Sequence, residues 1–224
     1  QDWSPKNYDL KFKGTVTLRI GVEESRNVVT AKVLDFISPQ TGVDYCRRFG
    51  LSSTIYPYLS LALGTFEVTL SELVSAYTAF PNKGMRIVPY FISRIEDREG
   101  RVLEEAAVQA EEVISPQTAF VLTNLLEGVV LRGTAASAAS LGIPLAGKTG
   151  TTSDFTDAWF VGFSPSLCAG VWIGHDLKAK IGNRQSGAVA ALPVWIEFFK
   201  RLIEDEEAKA AAEGREPVFE DFEV

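Results

Sequence analysis

Ala146-Gly147-Lys148-Thr149-Gly150-Thr151-Thr152 is the stretch on which the reading of this chain turns. A lysine between glycines and ahead of hydroxyl residues is an anion-handling arrangement. The glycines admit close backbone approach, the ammonium supplies charge, and hydroxyls and backbone N–H groups supply directed hydrogen bonds. Two architectures compete for it. Gly142 to Thr149 reads G-I-P-L-A-G-K-T, a full match to the phosphate-loop pattern, which needs a hydrophobic strand before it and a helix after it. The preceding Thr134-Ala-Ala-Ser-Ala-Ala-Ser140 is small rather than strand-like, and Gly150 to Asp154 are mostly turn formers. The alternative runs Ile143 to Gly150 as an extended strand, with Pro144 near its start, where a missing donor is tolerated. A Lys-Thr-Gly strand lining a cleft is a feature of serine acyl-transfer enzymes that use lysine where others use histidine. Such a site needs a second element, Ser-x-Asn, and Ser25-Arg26-Asn27 supplies one far upstream.

Composition narrows the classes. The chain has 224 residues, 46% hydrophobic and 23% charged, enough for one sizeable core. No apolar run approaches the roughly 20 residues that span a bilayer. The single histidine, His175, leaves little for a Ser-His-Asp triad, and Cys46 and Cys168 have no Cys-x-x-Cys partners to hold a metal. Both cysteines read as small buried residues. The net charge of −7 lies entirely from Glu204 onward, where 9 acids meet 2 bases. Residues 1–203 are balanced, which gives no support to nucleic-acid binding. Residues 204–224 read as an acidic, solvated, disordered tail.

Along the chain, residues 1–14 read as a loop. Thr17 caps a helix through Glu24, Ser25-Arg26-Asn27 interrupts it, and Val28 to Ile37 resumes helical spacing. A serine and an asparagine two apart on such a break can point into one cleft, or can simply cap a junction. Ser38-Pro39 and Ser115-Pro116 each open a helix, the first stopping at Gly50 and the second running through Leu131. Thr69 or Ser71 starts another, to Phe80. Tyr90–Glu96 and Arg101–Glu104 form a hairpin around Asp97-Arg-Glu-Gly100. Strands Ala158–Phe163 and Cys168–Gly174 flank a turn at Ser164-Pro-Ser166, and Pro193–Ile203 is a helix with one apolar face. The fold class is α+β, helices against a largely antiparallel sheet.

Taken together, Trp3-Ser-Pro-Lys-Asn-Tyr8, Gly14-Thr-Val-Thr-Leu-Arg19, Ser25-Arg26-Asn27, Leu61–Thr69, Ala146–Thr152 and Asp157-Ala-Trp-Phe-Val-Gly-Phe163 resemble the carboxyl-terminal part of the transpeptidase domain of class A penicillin-binding proteins, in family order. The resemblance implies a penicillin-binding/β-lactamase-like transpeptidase fold over residues 1–203, without its N-terminal part. It implies cross-linking of peptidoglycan stem peptides through a serine acyl-enzyme, acylation by β-lactams, no cofactor and no metal, at the outer face of the bacterial cytoplasmic membrane. By the same resemblance Ser25 relays a proton to the leaving amine, Asn27 orients substrate amide and lysine groups, and Lys148 holds positive potential near the substrate carboxylate. Thr149 and Thr151 hydroxyls bind that carboxylate, and the Thr151 N–H forms half of an oxyanion hole. Gly150 keeps the strand surface clear for a peptide added as a strand, and Thr152 stands behind these as a further substrate-side residue. Ser153 and Asp154 are expected to end the strand in a turn.

The sequence departs from the family in one respect. None of its serines has lysine three residues later, so the nucleophile motif Ser-x-x-Lys is absent from these 224 residues. In the family that motif lies upstream of the Trp-x-Pro-x-Asn-Tyr stretch, so the simpler expectation is a fragment whose upstream segment carries it. The other is a non-acylating relative. A carboxypeptidase or β-lactamase-like hydrolase, or a non-catalytic cell-wall binding module, also fits the motifs.

Overall fold

The computed structural model describes residues 3–152 and 154–223. The chain opens without regular structure and then forms three successive helices, α1 (Leu18–Glu23), α2 (Asn27–Ile37) and α3 (Pro39–Arg48). After a 3-10 turn at Leu59–Leu63 comes α4 (Leu70–Tyr77). Four short strands follow: β1 (Met85–Val88), β2 (Arg94–Glu96), β3 (Val102–Glu105) and β4 (Gln109–Glu112). The long α5 (Pro116–Arg132) leads through a second 3-10 turn, Ala136–Leu141, into β5 (Ala146–Thr151), β6 (Asp157–Phe163) and β7 (Cys168–Gly174). A π-helical turn at Gly187–Ala191 passes directly into α6 (Leu192–Glu213).

Local chemistry sets most helix starts. Thr17, Ser38 and Ser115 each accept a first-turn N–H, and Pro39 and Pro116 occupy the first helical turn, where no donor is needed. Thr69 and Glu72 form a reciprocal capping box on α4. The Glu72 carboxylate also accepts from Ser52, and these hydrogen bonds hold it down to about 2.

Strands β5, β6 and β7 form one antiparallel sheet in that order, with Lys148 opposite Val161 and Gly150 opposite Trp159. The core lies between this sheet, α5 and α6. Val129, Phe160, Leu192 and Trp195 are fully buried. Trp195 stacks on Phe199 at 3.9 Å between centroids and meets Phe160 edge-on at 5.0 Å, while its indole N–H donates to the Ala169 carbonyl at 3.1 Å. α4 lies against β7 so closely that a Cβ at Gly170 would sit 2.5 Å from Val74.

The structure departs from several of these expectations. The strand expected from Ile143 begins at Ala146, because Gly142 closes the 3-10 turn in the left-handed region, φ 73°. β1 pairs with β4, an antiparallel ladder unforeseen from Gln-Ala-Glu-Glu, which carries little β propensity. The helix expected to stop at Ile203 runs on to Glu213. Ala and Glu are strong helix formers, and Glu197–Arg201 and Lys200–Glu204 pair one turn apart at 3.0 and 3.6 Å. Gly214 ends α6 in the left-handed region, and Arg215 folds back on Glu206 and Glu213, each at 2.7 Å. Beyond it, Phe222 packs edge-on against Phe163. The acidic segment from Glu204 is thus helical to Glu213, and the contacts of Arg215 and Phe222 carry the chain back toward the body. Cys46 and Cys168 are half-buried rather than fully buried. Burial raises both thiols, Cys168 to about 12, so neither is a reactive thiolate. Among the described residues no helix is long and apolar enough to cross a membrane.

Candidate active site

Ser25 lies at the corner between α1 and α2. The corner closes by backbone bonds from Ser25 N–H to the Val22 carbonyl and from Arg26 N–H to the Gly21 carbonyl, at 3.1 and 2.8 Å. Ser25 itself has φ 54°, a conformation that L residues adopt at a penalty of about 1 kcal/mol or more and keep only when the surroundings impose it. Outside the corner a chain of charges fixes its rim. Lys13 pairs with Glu24, Glu24 with Arg26, and Arg26 with Asp9. Gly21 admits α2 alongside, since a Cβ there would lie 2.6 Å from Val29.

Lys148 comes from the middle of β5, so the phosphate-loop architecture is excluded: no helix follows it, and its neighbours pair with β6. Its Nζ donates to Ser25 Oγ at 2.7 Å and to the Thr149 carbonyl at 3.2 Å. The partly buried side chain loses hydration at its ammonium. That desolvation lowers its pKa from the ordinary 10.5 to about 8. Residues 123 positions apart in sequence thus meet in one hydrogen bond.

The other expected residues divide. The Thr149 hydroxyl is hydrogen-bonded to the Thr134 hydroxyl at 2.9 Å. The Thr151 hydroxyl accepts from the Gly187 N–H at 3.0 Å. An accepting hydroxyl keeps its own proton, so Thr151 is left as a ready donor. Among the described residues Asn27 makes no hydrogen bond to Lys148. Its side-chain amide donates to the Lys6 carbonyl at 2.9 Å and ties the N-terminal segment to α2. Thr152 is committed to the strand-ending turn, where its hydroxyl accepts from the backbone of Thr156 and Asp157 at 2.9 and 3.0 Å. Asp154 is in that turn, and Ser153 lies outside the described residues. Gly150 does not face open space, since a Cβ there would lie 3.0 Å from the Trp159 Cβ across the ladder.

Three residues at the site were invisible in sequence. Thr134 opens a run of small residues in the sequence, and neither Gly187 nor Glu23 carries a local signal of its contacts. Gly187 is the clearest. A Cβ there would collide with the backbone carbonyls of Trp159 and Gly150, so only glycine lets this turn lie on β5. Gly187→Ala is expected to lift the turn from β5, break the bond to Thr151 and lower stability by about 1–3 kcal/mol, read from urea denaturation midpoints.

The model of the penicillin binding protein transpeptidase domain matches residues 1–192. Penicillin-binding protein 1A of Aquifex aeolicus is 46% identical over 200 residues, covering 89% of this chain and 27% of that protein. The crystal structure of penicillin-binding protein 1A from Haemophilus influenzae superposes with a TM-score of 0.86 at 27% identity, over 91% of this chain and 37% of that one. The D,D-transpeptidase domain of a peptidoglycan glycosyltransferase from Eggerthella lenta shares the fold, with a TM-score of 0.68 at 22% identity, over 86% of this chain and 56% of that one. The chain spans about a quarter of the length of the curated relatives it matches. With Lys148 and Ser25 in contact on matching α+β elements, this chain belongs to the penicillin binding protein transpeptidase domain family.

Proposed function

We propose that this chain forms one wall of the active site of a serine-type D-Ala-D-Ala transpeptidase, and that a Ser-x-x-Lys segment outside these residues completes it. The observation that carries the reading is the 2.7 Å bond from Lys148 to Ser25, which brings the two motifs together. In the reaction, the oxygen of the upstream serine attacks the carbonyl of the penultimate D-alanine. The serine's proton passes, by way of the upstream lysine and Ser25, to the leaving amine, and terminal D-alanine departs. The amine of a second stem peptide then attacks the acyl-enzyme carbonyl. It gives up a proton as the serine oxygen regains one, and the cross-link is released.

Lys148 serves this sequence as a cation. It donates to Ser25, which biases the serine hydroxyl toward donating onward, and it places positive potential where the substrate carboxylate binds. Thr149 and Thr151 present hydroxyls beside it, and the Thr151 N–H supports the developing oxyanion, a contribution of roughly 3 kcal/mol per donor. Asn27 acts indirectly, by anchoring Lys6 beside the corner. β-Lactams would acylate the same serine. Stem peptides and β-lactams are thus the proposed ligands, at the outer face of the cytoplasmic membrane. Fluorescent-penicillin labelling tests the reading. The full-length protein is expected to label and these 224 residues alone are not; labelling of this chain alone would overturn the assignment of the nucleophile.

The depressed Lys148 pKa predicts opposite signs for activity and stability. Acylation should fall as pH rises through about 8, because the ammonium is lost. Stability should change the other way. Between about 8 and 10.5 the unfolded chain binds a proton at this lysine that the folded chain has already released. The desolvation cost of the Lys148 ammonium is therefore relieved, and the fold gains stability, as pH rises across that window. A pH series of acylation rates with parallel urea midpoints, compared between wild type and Lys148→Met, checks both.

A further inference from the structure

The end of α1 is fastened to α5 by a buried carboxylate that the proposed chemistry does not use. Glu23, the last residue of α1, is 6% exposed. Arg132, the last residue of α5, grips it with both arms, Nε to Oε2 at 3.0 Å and Nη2 to Oε1 at 2.6 Å. Arg19, one turn back on α1, reaches the same carboxylate at 3.5 Å and is itself tied to Asn124 of α5 through its carbonyl and side-chain oxygen, at 3.3 and 2.8 Å. The main chain takes part as well, since the Glu23 carbonyl accepts from the Thr134 N–H at 3.1 Å. Two glycines make the approach possible. A Cβ at Gly128 would collide with the Glu23 carboxylate, and one at Gly133 with the Glu23 carbonyl.

This placement runs against the usual preferences. The last turn of a helix favours cations, and a carboxylate out of water is costly unless it is paired. A residue at such a position is explained by geometry. Glu23 sits two residues before Ser25, whose φ of 54° belongs to the left-handed end of α1 that closes onto Val22 and Gly21, so fastening Glu23 to α5 fixes where that corner stands. Thr134 then links the same anchor to the opposite wall, through its hydroxyl to Thr149 next to Lys148. Both sides of the Ser25–Lys148 bond are thereby referred to the C-terminal end of α5.

We propose that Glu23 is a positioning residue: clamped on α5 by Arg132, it holds the α1–α2 corner so that Ser25 stays within hydrogen-bond reach of Lys148. The inference rests on the reading of Ser25 and Lys148 as parts of the acylation site.

The test uses the full-length protein, with fluorescent-penicillin acylation rates measured across pH for Glu23→Ala, Glu23→Gln and Arg132→Gln. Loosening the corner by even 1 Å is expected to slow acylation by about 10- to 100-fold. It also admits water to Lys148, so the alkaline limb should move upward from about 8 toward the ordinary lysine value. The charges that face Glu23 are Arg19 and Arg132, whereas Glu24 and Arg26 beside Ser25 are engaged with Lys13 and Asp9. Glu23→Gln keeps an acceptor for Arg132 and should restore most of both the rate and the limb. Arg132→Gln removes the clamp from a half-exposed position, so it tests the same effect should Glu23→Ala not fold. A limb that stays near 8 in Glu23→Ala and Arg132→Gln, with rates reduced only in proportion to the folded fraction, would overturn the proposal. Normal labelling of Lys148→Ala would instead overturn the reading of the site on which it rests.

Discussion

Lys148→Ala in the full-length protein is expected to lower the acylation rate by β-lactam at least 100-fold while leaving the fold intact. The expectation follows from what the side chain does. It is the cation that donates to Ser25, and it reaches a second acceptor only on its own strand, the Thr149 carbonyl. Truncation leaves Ser25 without its donor and removes the positive potential beside the Thr149 and Thr151 hydroxyls. Losing one preorganised electrostatic contact at a reacting centre typically costs about 100- to 1000-fold. Stability should not fall, because the ammonium is held in a desolvated place that already disfavours it. Lys148→Arg keeps the charge but replaces a compact ammonium with a planar fork, and should recover little. Second-order acylation rate constants, with urea midpoints alongside, make the measurement. Near-normal labelling of the alanine variant would remove Lys148 from the chemistry.

The largest structural effect is expected at Trp195. The ring is fully buried, stacked on Phe199 and edge-on to Phe160, with its N–H on the Ala169 carbonyl. Trp195→Ala opens a cavity between α6 and the back of the sheet and strips that carbonyl of its donor. Such a truncation costs about 3–5 kcal/mol, with the orphaned acceptor adding to it. For a chain of this size the melting temperature should drop by roughly 10 °C. Trp195→Phe fills most of the space and should lose less than half as much. Equal loss in both variants would show that the hydrogen bond, not the volume, holds α6 in place.

Helix starts were legible because their chemistry is local. Ser38-Pro39, Thr69 with Glu72 and Ser115-Pro116 each satisfy exposed N–H groups within four residues. β6 and β7 were legible because both are apolar runs that flank a turn. β1 and β4 were not, because nothing within either strand carries the pairing. It depends on a partner more than 20 residues away. The continuation of α6 to Glu213 was not legible, because net charge does not reveal which acids will find a base one helical turn off, as Glu204 does with Lys200.

The site divides along the same line. By itself the sequence determined that Ser25-Arg26-Asn27 breaks a helix and that Lys148 follows a glycine on an extended segment, because turn, cap and strand preferences are set by neighbouring residues. It could not determine that Ser25 and Lys148 touch while Asn27 turns to Lys6, or that Thr152 is used up in a turn. Those outcomes depend on where α1 and β5 come to rest against α5, and so on Glu23, Arg132, Gly133 and Gly187. Each of these acts through a contact with a residue distant in sequence, and only the folded chain brings those atoms within hydrogen-bonding distance.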